Sequence, residues 1–529
     1  PPCPASWQRR FEEGNLLLGQ ATEQFGQIGN GYRATFVQPG WSTEYVAGVY
    51  SGKSTKSQRA AVPLSLTQAT LGGGGTGGAD GDAAAPTLLA TALDLERAAH
   101  LTHWAGASTG TAGASSLLNV TRTVIAHRAL PHVVAAVYEY EYPATAGATT
   151  AAANYTVTVP AFKLQTGDVM CQLQSDASAA APPPGAQCAV CTAKDEEEPG
   201  SGRAIIATCY TAPGNLKLAP ESAVKAGGSA SVVALTLLST IYSSVDTDWM
   251  PTGNNTPTMN DLLIRAVQGW SDAAARGGSD LLASHEQTMR DLNAARIEVA
   301  GNADLARVVN ASQYALLAAV REGVRFSSSP GGLATNSYHG HAFWDVETWM
   351  WPNWLAFHPG IARDALRYRA ERIAPARANA VAHGLRGIMF PWESAFTGME
   401  VDPAPGTTTE EHLQGDIAFA FYQYWQATRD LPWLKQVFPV FDGIAEFWAS
   451  KAVPAADGSG RYSIPKIMGP DEYHGGVTDS VYCNVVAQYS IRFANELAPL
   501  VGMAPNATRG AIGEALVIEF DADLQYHPE

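Results

Sequence analysis

The chain has 529 residues, of which 46% are hydrophobic and only 16% charged, with a net charge of -16. That length exceeds one ordinary core, so two or more domains are expected, each large enough to fold without staples. An acidic chain of low charge density argues against nucleic acid or an anionic membrane surface as a partner and suits neutral ligands, and no part of the composition asks for a metal or cofactor.

In chain order, Pro1-Pro2-Cys3 lacks the charged and apolar regions of a signal peptide, and no run of about 18 apolar residues suggests a membrane span. A leader is therefore expected to have been removed or to lie outside this sequence. The first half reads as β structure. Tyr138-Glu139-Tyr140-Glu141-Tyr142 and Tyr155-Thr156-Val157-Thr158-Val159 alternate with period two, and Leu117 to Ile125 and Ser231 to Leu238 are further β-branched runs. Many strands separated by Gly/Pro turns predict a large sandwich over residues 1–258. Two low-complexity stretches, 71–85 and 176–202, read as surface insertions, the second carrying the acidic run Asp195-Glu196-Glu197-Glu198 as a solvated loop.

Four of the six cysteines, Cys171, Cys188, Cys191 and Cys209, flank or lie in that second stretch. Cys188-Ala189-Val190-Cys191 has no second pair or His set at metal spacing, so disulfides among these four are favoured over zinc, with the connectivity open. Sequons at Asn119, Asn154, Asn254, Asn310 and Asn506 permit N-glycosylation, although such tripeptides also arise by chance and Pro257 follows the third. Together these point to the secretory pathway, with an extracellular or lysosomal/vacuolar destination.

From about Met259 the period becomes helical. Leu413, Ile417, Phe421, Tyr424 and Trp425 share one face, as do Val440, Ile444, Phe447 and Trp448; similar segments cover about 305–321, 361–372 and 484–497. Helix follows helix without strands, which predicts stacked αα-hairpins after a helical linker at 259–304. The loops between them hold an unusual density of Trp beside carboxylates: Trp344-Asp345-Val346-Glu347-Thr348-Trp349, Pro391-Trp392-Glu393-Ser394, and Glu410-Glu411-His412 with Asp416. Trp faces stack on sugar rings and carboxylates accept from sugar hydroxyls. Then comes Gly469-Pro470-Asp471-Glu472-Tyr473-His474, where Gly469 and Pro470 restrict the backbone before an acid flanked by hydrogen-bonding side chains. Taken alone, that hexapeptide reads more readily as a capped turn with Glu472 in a first helical turn, and the Trp-carboxylate blocks around it move the balance.

The blocks Gly340-His341-Ala342-Phe343-Trp344-Asp345-Val346-Glu347-Thr348-Trp349-Met350, Phe390-Pro391-Trp392-Glu393-Ser394-Ala395 and Gly469 to His474 resemble the signatures of glycoside hydrolase family 65. With Ser480-Val481-Tyr482-Cys483-Asn484 and the N-terminal Gly29-Asn30-Gly31-Tyr32, the resemblance is closest to the branch acting on glucosyl-galactosyl-hydroxylysine. It implies a β-sandwich, a linker and an (α/α)6 barrel over residues 305–529, acting on α-linked glucosides with inversion. Glu472 then matches the general acid. Trp344, Asp345, Glu347, Trp392, Glu393, His412 and His474 match or neighbour substrate-binding positions, His412, Asp416 and His474 the most loosely. Inversion needs one protonated carboxyl and one ionised carboxylate roughly 6.5–9.5 Å apart, and burial beside Trp and Tyr would raise the acid's pKa.

The family's base has no counterpart in this sequence, whose end looks like the middle of a family block, so a barrel truncated at its C-terminus is expected. Other readings stay open: a trehalose or other α-glucoside hydrolase, a phosphorylase, or a non-catalytic glycan-binding glycoprotein. The partner expected throughout is a small neutral α-glucoside or a glycoprotein glycan.

Overall fold

The computed structural model describes residues 4–19, 26–73, 86–105, 119–141, 155–174, 181–218, 231–246, 257–402 and 409–527. Cys3, the sequons at Asn154 and Asn254 and most of the expected insertion at 71–85 lie outside the described residues.

The first half is built on a nine-stranded antiparallel sheet. Its spatial order is Leu16–Gly19, Thr87–Asp94, Ala99–Ala105, Asn119–Ala126, Val133–Glu141, Ser231–Ser243, Ile205–Thr211, Ala186–Ala193 and Val169–Leu173. Alternation along Val133–Glu141 explains how both faces are used. Val133, Ala135 and Val137 meet Leu262, Leu263, Ala266 and Trp270. Val134, Ala136, Tyr138 and Tyr140 face the other way, onto Tyr155 and Val157 of a three-stranded sheet formed by Thr70–Gly73, Tyr155–Val159 and Gly214–Lys217. A four-stranded sheet of Gln27–Gly29, Arg33–Phe36, Thr43–Val46 and Val62–Pro63 extends that second layer.

The segment 259–304 is largely helical, and its helix Met259–Asn293 lays its apolar stripe on the nine-stranded sheet. Thr258 and Asp261 form a reciprocal capping box at its start, and Gly277, at φ 74°, kinks it midway. Within the stretch 176–202, expected as a surface insertion, Ala186–Ala193 is an interior strand of the sheet.

That strand resolves the cysteines. Residues three apart on a strand point to opposite faces, so Cys188 and Cys191 cannot share one ligand set. Cys188 bonds Cys209 on the face toward the helix, and Cys191 bonds Cys171 on the other. Each bond joins residues directly opposite in the ladder. Cys483 is buried, its Sγ 3.5 Å from Met468 O.

The second half is helical: Ala303–Ala319, Trp351–Phe357, Pro359–Ala370, Ile373–Ala382, Leu413–Thr428, Leu431–Lys451, Val481–Leu497 and Ala507–Glu514. Its core gathers Trp351, Trp354, Phe421, Phe441, Phe447 and Trp448. Leu413, Ile417, Phe421, Tyr424 and Trp425 are all buried, as their spacing predicts. Among the described residues no helix is long and apolar enough to cross a membrane.

Candidate active site

The Phe343-Trp344-Asp345 block is seated by the β half. Gly340 has φ 75°, and a Cβ there would lie 2.5 Å from Cβ of Arg59, so glycine is required on both counts. Arg59 donates to the carbonyls of Gly332 (2.6 Å) and Gly340 (3.2 Å), and the Tyr50 hydroxyl donates to Gly340 O (2.7 Å). The chain then enters a π-helical turn at Val346–Met350, a form often found at functional sites. Trp344 is buried, Asp345 half-buried and Trp349 65% exposed. Burial pushes the Asp345 carboxyl above its ordinary range, opposed by its own backbone amide and by His412.

Glu347 was expected to contact substrate, but its carboxylate is committed to Arg369. The guanidinium Nε reaches Oε1 at 2.7 Å and Nη2 reaches Oε2 at 3.2 Å, with both side chains almost fully buried. Nη2 also reaches Phe343 O at 3.3 Å, so this pair fixes the turn that presents Trp344 and Asp345.

His412, with no exposed side-chain surface, is the hub of the site. Its Nδ1 meets Asp416 Oδ2 at 2.6 Å and its Nε2 meets Glu410 Oε1 at 3.3 Å, while the Tyr482 hydroxyl donates to Asp416 Oδ1 at 2.6 Å. Trp344 stands edge-on to the His412 ring at 4.7 Å and Trp392 at 6.3 Å. Tyr482 reaches Asp416 because Gly415 lets two helices close up. A Cβ on Gly415 would lie 2.4 Å from Cβ of Val486. Neighbouring acids diverge: Glu411 turns away to Lys451 (2.6 Å), while the pKa of Glu410 is raised by burial, helped by the charges of Glu472 and Asp345 and opposed by His412.

Burial alone would lower the pKa of His412. Its hydrogen bonds to Asp416 and Glu410, with their charges, outweigh that and hold it at about 9, against an ordinary 6.5. Because the folded value is the higher one, the resulting stability is complete below about 6.5 and is lost as pH rises through about 9. Asp416→Asn is expected to bring the His412 titration down by roughly one to three units, the effect of one close opposite charge. Imidazole NMR across pH checks this; an unmoved titration would take Asp416 out of that role.

The Trp392-Glu393 block is pinned from three sides. Gln414 bonds both N and O of Phe390 at 2.8 Å. Glu400 accepts from the amides of Trp392 (2.8 Å), Glu393 (3.2 Å), Val401 and Asp402 (both 3.1 Å). Burial nonetheless pushes the Glu400 carboxyl up to about 7, those amides opposing it and Glu393 adding to it. Glu393 Oε2 lies 2.6 Å from His341 Nδ1. The amides of Ala342 and Ser394 each donate to the other's carbonyl, which joins this block to the Trp344 block.

Glu472 lies on a loop closed at its base by paired backbone bonds between Ile467 and Val477, and Met468 N donates to Thr409 O (2.8 Å), bringing the loop alongside Glu410. The burial expected for the acid is not found: Glu472 is exposed and Tyr473 is 95% exposed. His474 pairs with Asp471 (Nδ1 to Oδ2, 2.6 Å) instead of flanking Glu472. Thus Trp344, Asp345, Trp392, His412 and Glu472 share one locality, Glu393 borders it, and Glu347 and His474 are engaged elsewhere. Sequence reasoning assigns no site role to His341, Glu400, Arg369 or Tyr482 and names Glu410 only within Glu410-Glu411-His412; His341 and Tyr482 do stand in the blocks that carry the family resemblance, while Glu400 and Arg369 have no local cue. Among the described residues no cluster of His, Cys, Asp and Glu is arranged to hold a metal.

Residues 313–509 match the glycosyl hydrolase family 65 central catalytic domain. The chain is 42% identical over 259 residues to protein-glucosylgalactosylhydroxylysine glucosidase of Dictyostelium discoideum, covering 47% of this chain and 36% of the relative. It is 38% identical over 267 residues to the Danio rerio protein of the same name, covering 47% and 40%. Against a kojibiose hydrolase of Flavobacterium johnsoniae it is 36% identical over 234 residues, covering 44% and 34%. The aligned parts thus span well under half of these relatives. In fold, 98% of the chain superposes on 72% of a putative kojibiose phosphorylase from the human microbiome, with a TM-score of 0.71 at 13% identity.

Proposed function

We propose that the protein, whose residues 313–509 match the glycosyl hydrolase family 65 central catalytic domain, removes terminal α-linked glucose by inverting hydrolysis, with glucosyl-α-1,2-galactose on hydroxylysine as the favoured substrate. The observation that carries this is the convergence of Trp344 and Trp392 on His412, with Asp345, Glu410 and the Glu472 loop beside them. Two aromatic walls and several carboxylates make a pocket for a neutral polyol. Asp345 and Glu393 bind the terminal glucose, while the imidazolium of His412 balances the surrounding carboxylates. Glu472 protonates the glycosidic oxygen, and the sugar bound over it supplies the desolvation that the free loop lacks. The helical half is read as part of an (α/α)6 barrel, a reading supported by the likeness in fold.

The two disulfides support an oxidising compartment, and we read the protein as a secreted or lysosomal/vacuolar glycoprotein. Of the described sequons, Asn506 is exposed at a helix N-cap, whereas Asn310 Nδ2 is bonded to Gly14 O and Asn15 Oδ1.

One experiment tests these readings. The full-length protein, secreted from a eukaryotic host, is incubated with glucosyl-α-1,2-galactose with and without phosphate and followed by proton NMR. β-Glucose appearing first, independently of phosphate, is the expected result, together with a glycosidase-sensitive mass at Asn506. A glucose phosphate product would establish a phosphorylase, and saturable glucose binding without turnover would establish a glycan-binding protein.

A further inference from the structure

Glu197 belongs to the acidic run of the β half, yet it is only 5% exposed and its carboxylate is filled. Oε2 accepts from the Ser57 hydroxyl (2.8 Å) and Phe396 N (2.9 Å); Oε1 accepts from Thr397 N (2.9 Å) and the Thr397 hydroxyl. Phe396 is held at its other end as well, because Arg372 donates to its carbonyl through Nε (3.1 Å) and Nη2 (2.7 Å). An anion therefore grips the amide side of this turn and a cation the carbonyl side.

The grip extends into the site. Ser57, whose hydroxyl meets Glu197, places its carbonyl 2.8 Å from His341 Nε2, and His341 Nδ1 meets Glu393. A continuous chain of contacts, Glu197 to Ser57 to His341 to Glu393, thus runs from the β half to the carboxylate beside Trp392. Ser57, His341 and Glu197 are all buried, so water does not compete for these bonds. A carboxylate brought this deep is costly unless its acceptors are filled by charge-assisted bonds, and all four donors come from Ser57 and the 396–397 turn.

We infer that Glu197 is a positioning residue of the sugar site, acting through Ser57 and the 396–397 turn to set the orientation of Glu393 and Trp392. This rests on reading that site as a glucoside subsite. The β half then completes the site as well as packing against it.

Glu197→Gln preserves volume but places an amide donor against donors that are already there. In the full-length protein, glucose affinity is expected to fall ten-fold or more, with KM for the α-glucoside rising while kcat changes little. Amide exchange should quicken within 391–402 and at 341–342, while Leu431–Lys451 and the nine-stranded sheet keep their protection. Ser57→Ala, which removes one of the four donors, should move the same readouts less far. Protection lost throughout the molecule would make Glu197 a general adhesive between the halves and overturn the inference. Unchanged affinity and KM would overturn it too. Should the wild-type protein bind no glucose, the glucoside reading falls, and the exchange pattern still decides whether Glu197 sets these loops.

Discussion

Glu472→Gln is expected to slow hydrolysis of an α-glucoside whose leaving group is an ordinary sugar alcohol by roughly 10³-fold, within the span that general acids contribute. The substitution suits the site because Glu472 is exposed and the loop is held by Ile467, Val477, Met468 and Asp471, so the fold has no stake in the carboxyl. The unfolding midpoint should therefore not move. A second substrate separates acid catalysis from binding. An α-glucoside with an acidic phenol as leaving group departs without a proton and should lose far less. Equal losses on both substrates would falsify the role of proton donor and leave Glu472 as a binding group.

Arg369→Met is expected to destabilise the helical half by about 3–5 kcal/mol, the usual cost of stranding one member of a buried ion pair. The Glu347 carboxylate has both oxygens on the guanidinium and almost no exposed surface, so water cannot replace the lost partner. Because Arg369 also reaches Phe343 O, the turn carrying Trp344 and Asp345 should loosen as well. The check is denaturant unfolding of the single variant beside Arg369→Met/Glu347→Leu, which removes both charges. The double variant should regain most of the stability. If the single change costs no more than an exposed salt bridge, about 1 kcal/mol or less, the pair is not a keystone.

These effects turn on contacts that differ sharply in how far the sequence discloses them. Periodicity located Tyr155–Val159 and the buried face of Leu413–Thr428, because burial on one side imposes a period that any window of residues displays. The Trp-carboxylate blocks likewise hold side chains that come together in space, since the Trp344 and Trp392 rings both neighbour His412. Pairings across long stretches leave no such mark. Glu197 and Thr397 are two hundred residues apart, and nothing near Glu197 separates it from its solvated neighbours in the acidic run. Tyr482 finds Asp416 only because Gly415 permits a close helix crossing. The strand Ala186–Ala193 was hidden for a different reason: flanked by Pro- and acid-rich segments, its short Ala/Val/Cys run is buried on both faces and shows no alternation. The exposure of Glu472 was unreadable too, since solvent access at a loop depends on which other elements reach over it.

The cross-strand cysteine pairs have one further consequence. Counting inward from the Val169–Leu173 edge, the first strand is riveted to the second and the second to the third, with the rivets on opposite sides. A sheet ordinarily frays one strand at a time from its margin, exposing a fresh template for pairing with another chain at each step. Here the outer three strands can leave only together, so separation from this side must begin between Ile205–Thr211 and Ser231–Ser243. What would have been the most easily unzipped margin of the domain behaves as a single laminated plank.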